Sequence, residues 1–587
     1  MLQSLNAGSF AFKNATAQNA AIEYLETLFG DLEDQAGPAG LPQYIGGDNG
    51  LTAAELRPLA DGILTLSDTD KGGSFDALPQ SIKNVVTGPG YGEIEHEDGS
   101  IVYSLPNWQA DVPDFARLMG TSDPDLQGGY GFSINLTSTI GGYLNQVNEE
   151  LSWGNGDSDL GTLLDVSTRN VEANHGLLTG ENGQHPGIDR HDAIEGLFTY
   201  EWSDNGRSAA GLVDWIPDHA LNEDDPEAQE LAGDAAAGLM ETITSDDMYQ
   251  KLTDTGVTIG DDTDASMGAI NGRIAEGFTD IFMTYIDEFA APDGVDQLKN
   301  IEGDGEISRM SEWNSSHSDL RMDPMTRVRF LEYAAGDPDS AIRAQATSTA
   351  YNDQMINRYL TTDVGAPASA EPAGTLQGLV DAAVNNEAID RLGDEEKAHK
   401  EQARVRKIGM GVAGHAVGKI PYAGGPLGGV FMSEIDNAMK QKSGEDFSYN
   451  TQTNNGEFIR RQVELGVLEG LVSQGEVAYS DLSDELVGSG PDGEPRLLTE
   501  DELREAVPDE RASQILEGEV SYKLESGDVS WPGGAVNSAS SRVNTYVADH
   551  GEGYDAVVYS LRAQSTDQYD DRLGEGKVTR LPKRKEN

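Results

Sequence analysis

The tightest group of side chains able to do chemistry is His185, Asp189, His191, Asp192 and Glu195. Imidazole and carboxylate are the ligands of catalytic divalent-metal sites, and on a helix His191 and Glu195 share one face at i, i+4. The run lacks the HExxH signature, because Asp192 follows His191 and position 195 is a glutamate. Asp189 reads equally well as the N-cap of the helix that follows. Two acidic loops approach the calcium-binding pattern. Asn300, Glu302, Asp304 and Gly305 fall at positions 1, 3, 5 and 6 of such a loop, but Ser311 stands at position 12 and Glu312 comes one residue late. Asp68, Asp70 and Gly73 give a second partial match, with Pro79 at position 12. The candidate metal ligands are therefore His185, His191, Glu195 and Asp304. The cation expected at them is adventitious calcium or another divalent ion, and no dedicated cofactor is expected. No GxSxG elbow and no phosphate-binding glycine loop is present. Acidic residues are too numerous for one pair to be singled out as acid and base. The six tryptophans are scattered and read as packing residues.

Composition narrows the functional classes. Lys and Arg number 40 against 102 Asp and Glu, a formal net charge of −62. That excess excludes non-specific nucleic-acid binding by the chain as a whole and any polybasic membrane anchor, and it permits a self-repelling soluble surface, divalent cations or a basic partner. The absence of cysteine excludes disulfides, thiolate metal sites and a thiol nucleophile together. Residues 1–15 do not read as a secretory leader, and no run of eighteen uncharged apolar residues exists, so membrane contact is not expected. If the protein is exported, to the medium or the cell surface, it needs a non-classical route, and the cytoplasm is the alternative.

The elements that would carry these residues are mostly helices. The fold class is mainly α: a multi-helix, elongated or multi-lobed assembly with a minor β-hairpin. Residues 1–120 read as an N-terminal helical region with the hairpin near 91–105, where GEIEHEDGSIVYSLP alternates about a turn. Within it, residues 16–34 carry an apolar stripe, and Thr52 with Glu55 forms a capping-box pattern. Residues 121–361 read as a central helical domain, with helices at 132–151 (interrupted at Gly141-Gly142), 157–171, 189–200, 226–243, 324–335 and 338–360. A helix around Trp215 is expected to stop at Pro217. Residues 362–373 read as a linker. Residues 374–445 read as one long helix over 374–408, closed by the basic cluster Lys400, Arg404, Arg406 and Lys407, and then a glycine-rich packing segment at 409–432. Residues 446–587 read as a C-terminal helical region ending in two helices, 538–547 and 554–562. Segments 192–215 and 327–359 echo each other as helix–turn–helix units.

From about 130 to 435 the chain resembles the long, mostly helical actinobacterial proteins labelled as containing a TPR repeat region. The likeness is carried by LGTLLDVSTRNVEANHG at 160–176, DAIEGLFTYEWSDNGRSAAGLVDW at 192–215 and MGAINGRIAEGFTDIFMTYIDEF at 267–289. FLEYAAGDPDSAIRAQATSTAYNDQ at 330–354, LQGLVDAAVNNEA at 376–388 and VAGHAVGKIPYAGGPLGG at 412–429 extend it. The resemblance implies association with type VII secretion and polymorphic-toxin loci, and a structural or carrier role. It also implies a protein partner, such as a small WXG-like helical protein or a toxin. The chain departs from that family in having no Trp-x-Gly turn within residues 1–60, and it shows no 34-residue period with the tetratrico pattern. The leading expectation is a non-enzymatic helical scaffold or carrier acting with such a partner. The alternatives are a metal-dependent hydrolase of envelope polymer, resting on the His185–Glu195 cluster, and a phage or particle structural protein.

Overall fold

The computed structural model describes residues 15–47, 50–88, 92–95, 101–104, 106–146, 157–181, 189–222, 224–260, 262, 264–291, 320, 322–361, 370–417, 435, 437, 439, 455–473, 475, 477–490, 493–526, 528–530 and 536–573. The chain is mainly α-helical and divides into two compact units, Met1–Gly277 and Phe278–Asn587, with the boundary inside one helix.

The first unit runs α1 (Ala15–Ala36), a π-helical turn (Pro42–Gly46), α2 (Ala53–Ser67), α3 (Gln80–Thr87), β1 (Gly92–Glu95), β2 (Ile101–Ser104), α4 (Pro106–Met119) and α5 (Tyr130–Gln146). It continues α6 (Ser158–Ser167), α7 (Val171–Thr179), α8 (Arg190–Thr199), α9 (Arg207–Ala210), α10 (Trp215–Ala220), α11 (Pro226–Ile243), α12 (Asp246–Thr253), α13 (Met267–Ile270) and α14 (Gly272–Thr284). The expected hairpin forms, with Gly92 opposite Ser104 and Glu95 opposite Ile101. The capping box at α2 also forms: the Glu55 carboxylate accepts from the Thr52 backbone N–H at 2.9 Å.

α5 is the centre of this unit, with α2, α3, α6, α7 and α8 packed on it. The expected interruption at Gly141-Gly142 does not occur. At Gly141 a Cβ would overlap the Ala193 carbonyl, and at Gly196 one would overlap the Gly141 carbonyl. These glycines are the crossing point of α5 and α8. Pro217 does not end a helix either. It occupies the first turn of α10, where a missing N–H costs no hydrogen bond.

The second unit runs α15 (Ile286–Ala290), α16 (Pro324–Ala335), α17 (Pro338–Thr361), α18 (Ala370–Leu392), α19 (Glu395–Val417), α20 (Asn455–Ser473), β3 (Val487–Ser489) and β4 (Pro495–Leu497). It ends with α21 (Glu500–Ala506), α22 (Asp509–Gln514), a π-helical stretch (Ile515–Val520), α23 (Ser521–Ser526), β5 (Asp528–Ser530), β6 (Val536–Ser538) and α24 (Ala539–Leu573). The β3–β4 and β5–β6 pairs are antiparallel and went unforeseen. α18 is buried on nearly all sides, packed by α16, α17, α19 and α24.

Four expectations are corrected in this unit. The single helix 374–408 is two, because Gly393 adopts φ +60° and Asp394 caps α19 by accepting from the backbone N–H groups of Glu396 and Lys397. α18 begins at Ala370, inside the segment read as a linker. The cluster Lys400, Arg404, Arg406 and Lys407 does not close a helix, since α19 continues to Val417. Lys400, Arg404 and Arg406 pair instead with Glu396, Glu401 and Asp381. Further on, the two final helices are one, α24, running through Gly551 and Gly553. Of the glycine-rich segment, 409–417 is the end of α19, with Val412 and Ala413 fully buried, while 418–432 lies outside the described residues. No helix among the described residues is long and apolar enough to cross a membrane.

Candidate functional site

α8 holds two of the four candidate metal ligands. The Asp189 carboxylate accepts from the backbone N–H of His191 at 3.0 Å and of Asp192 at 3.4 Å, so it caps the helix. Glu195 turns to Lys251 of α12, whose Nζ lies 2.7 Å from its Oε2. That hydrogen bond raises the lysine above its ordinary pKa. The His191 side chain is about half exposed, with its Nδ1 3.9 Å from Asp189. His185 and Asp304 lie outside the described residues. Among the described residues, no three His, Asp or Glu side chains come together in a way that could hold a metal ion.

The 68–79 loop is closed by a lysine. Lys71 Nζ reaches Asp68 Oδ2 at 2.6 Å, and Asp68 Oδ1 accepts from the Asp70 N–H at 3.0 Å. Gly73 sits so near the Leu66 carbonyl that any Cβ would overlap it. The positive charge in this loop is the protein's own.

The most distinctive surface in the first unit belongs to α1. Its inward stripe of Ile22, Leu25 and Phe29 is buried, and Phe29 rests on Gly62 of α2, where a Cβ would come within 3.2 Å of the ring. Its outward side carries the charge. The 22-residue helix holds Glu23, Glu26, Asp31, Glu33 and Asp34 and no basic residue. Between this side and the segment before α3 opens a cavity of about 430 Å³, lined by Glu26, Thr27, Gly30, Asp31, Glu33, Asp34, Ala77 and Pro79. Glu33 builds its floor, accepting from the Ser81 N–H at 2.9 Å and the Ser81 hydroxyl at 2.5 Å. Glu26, Asp31 and Asp34 are exposed at its mouth. Gly30 leaves the middle open, since a Cβ there would meet nothing within 4 Å. Tyr24 stands on the same ridge as Thr27, Asp31 and Asp34, at i, i+3, i+7 and i+10, and is 37% exposed. Carboxylates around an opening, with an aromatic face beside them, form a surface suited to ammonium and guanidinium groups.

Sequence reasoning passed over two further polar anchors. Asn271 is fully buried. Its Nδ2 donates to the carbonyls of Phe198 and Tyr200 at 3.0 and 2.8 Å, and its Oδ1 accepts from the Trp202 N–H at 3.2 Å. Asp61, on the inner side of α2, accepts from the Asp123 N–H at 2.7 Å, and burial raises its pKa. The signal for either is weak, because a single polar residue in an apolar run does not name its distant partner.

No curated protein and no solved structure matches the chain. One family model does match, over residues 2–215, and this span takes in α1 to α9 and overlaps the segment of the resemblance only at 130–215. The helices in it range from 4 to 22 residues, which accounts for the missing 34-residue period. A TPR repeat domain thus occupies residues 2–215, and the acidic cleft of α1 lies within it.

Proposed function

We propose that this protein is a non-enzymatic helical scaffold or carrier, and that the acidic cleft of α1 takes a basic segment of its protein partner. The observation that carries the reading is the α1 surface: five carboxylates, no base and an open cavity, within a domain of an interaction-type helical family. A chain of net charge −62 repels an acidic partner and attracts a basic one. The family resemblance read from the sequence supports a secretion-associated or toxin partner, and with it a secreted or cell-surface location reached by a non-classical route.

The test is a titration of the full chain with a fluorescent lysine- and arginine-rich peptide. Affinity should fall about tenfold or more between 0.05 and 0.5 M NaCl. It should fall about as much in the triple variant Glu26→Gln, Asp31→Asn, Asp34→Asn at low salt. Equal binding by wild type and triple variant overturns the site. The secretion arm is tested separately, by quantifying the protein in culture medium from the native host with and without its secretion system. Equal amounts would remove that arm alone.

A further inference from the structure

His550 lies on the buried side of α24, 2% exposed, where that helix crosses α18. A Cβ at Gly374 would overlap the His550 carbonyl, and one at Gly553 would overlap the Glu371 carbonyl, so the two helices touch backbone to backbone. The imidazole Nδ1 has no hydrogen-bond partner. Tyr546, one turn earlier, has its ring 6.3 Å away and its hydroxyl 3.1 Å from Asn352 Oδ1. A neutral ring fits this place. An imidazolium would bring a full charge into a close-packed crossing with no acceptor for it. Burial accordingly lowers the histidine to about 4.

The charged groups on the surrounding elements do not offer that acceptor. On α18, Asp381 is committed to Arg406 of α19. On α20, Arg460 pairs with Glu464. On α16, Arg327 donates to the Phe289 and Ala291 carbonyls, while Arg329 and Glu332 are its other buried charges. α23 contributes Lys523, and α17 carries Asp353. Glu371 of α18 sits near Asp549 and Glu552 of α24. Burial raises Glu371 and Asp549, and the neighbouring carboxylates raise them further. None of these groups contributes to the histidine's shift, whose cause is burial alone.

We propose that His550 is an acid-sensitive latch: neutral, it lets α24 lie on α18, and protonated, it forces them apart and bares the faces they share. The surfaces so exposed, the α18 backbone at Gly374 and Gly378 and the Val557 side chain of α24 that lies against it, are buried in the closed state. The carboxylate trio acts in the opposite sense, since its protonation relieves repulsion across the same crossing.

Hydrogen exchange of the full chain between pH 7.5 and 4, corrected for intrinsic rates, reads the latch directly through peptides from 370–392 and 539–561. A shift from the ordinary 6.5 to about 4 predicts a rise in the open fraction of about 100-fold between pH 7 and pH 4. His550→Gln should cut that rise to less than about tenfold while protection in α5 stays unchanged. His550→Met serves as the second variant if the glutamine fails to fold at pH 7.5. Constant wild-type protection across the range overturns the latch. So does a full pH response in the folded variant, or loss of the response in Glu371→Gln, Asp549→Asn with His550 intact.

Discussion

Arg406 of α19 and Asp381 of α18 form an ion pair with both side chains almost wholly buried. Asp381 also accepts from Gln377 Nε2 at 3.0 Å, its backbone carbonyl accepts from Gln402 Nε2 at 2.9 Å, and the Tyr554 hydroxyl of α24 joins the pair. One charged knot thereby holds three helices. Removing one partner leaves the other buried and uncompensated, so Arg406→Ala should cost about 3–5 kcal/mol. The double change Arg406→Met, Asp381→Leu should recover most of that loss. Denaturant melts of the three proteins check it, and a single variant as stable as wild type would count against a buried pair.

The α5–α8 crossing admits no side chain at Gly141 or Gly196. Gly141→Ala should destabilise the first unit by about 1–3 kcal/mol, although alanine is the better helix former in isolation. A lowered midpoint in calorimetry is the expected outcome. A raised midpoint would mean that propensity, not contact, decides at this position.

Glu387 gives a pH dependence of definite sign. Burial pushes its carboxyl up to about 7, against the opposing pull of Arg391. The folded value therefore lies above the unfolded one of 4.5, and the neutral form is favoured in the fold. This contribution is fully present below about pH 4.5 and is lost as the pH rises through 7, up to about 3 kcal/mol. Glu387→Gln should flatten the fall in stability between pH 5 and 8. An unchanged profile in chemical denaturation would show that the carboxyl titrates normally.

Net charge sets a fourth expectation. At −62 the surface carboxylates repel one another, and salt should screen them. Raising NaCl from 0.05 to 1 M should lift the melting midpoint by about 3 °C or more. A flat response in scanning fluorimetry would show that the excess charge is already balanced locally.

Much of the fold was legible because helices announce themselves by period and by their ends. Pro226 and the apolar spacing after it set α11 to its observed bounds, and Thr52 with Glu55 marked the head of α2. What the sequence concealed depends on distant partners. The run Asp394-Glu-Glu-Lys397 has ordinary helical composition, so only the left-handed Gly393 betrays the break between α18 and α19. Gly141 and Gly553 looked like helix breaks and are contact points, because a missing side chain weakens a helix alone and strengthens it against a neighbour. The candidate metal cluster failed to show that Glu195 is taken up by Lys251, 56 residues away. The acidic cleft was invisible for the same reason. Glutamates on α1 read as a solvated face until Ala77 and Pro79 close the other wall.

The pairing of α18 with α24 has a temporal cost. On a ribosome, α18 is complete at Leu392, while its broadest packing partner begins only at Ala539. At ordinary elongation rates of about 5–20 residues per second, that separation is roughly seven to thirty seconds of synthesis. Throughout it, a helix that the finished fold buries on nearly every side has only α15, α16, α17 and α19 for cover. The nascent chain should therefore be a client for chaperones during this interval, and truncations ending before residue 539 should aggregate more readily than the full chain.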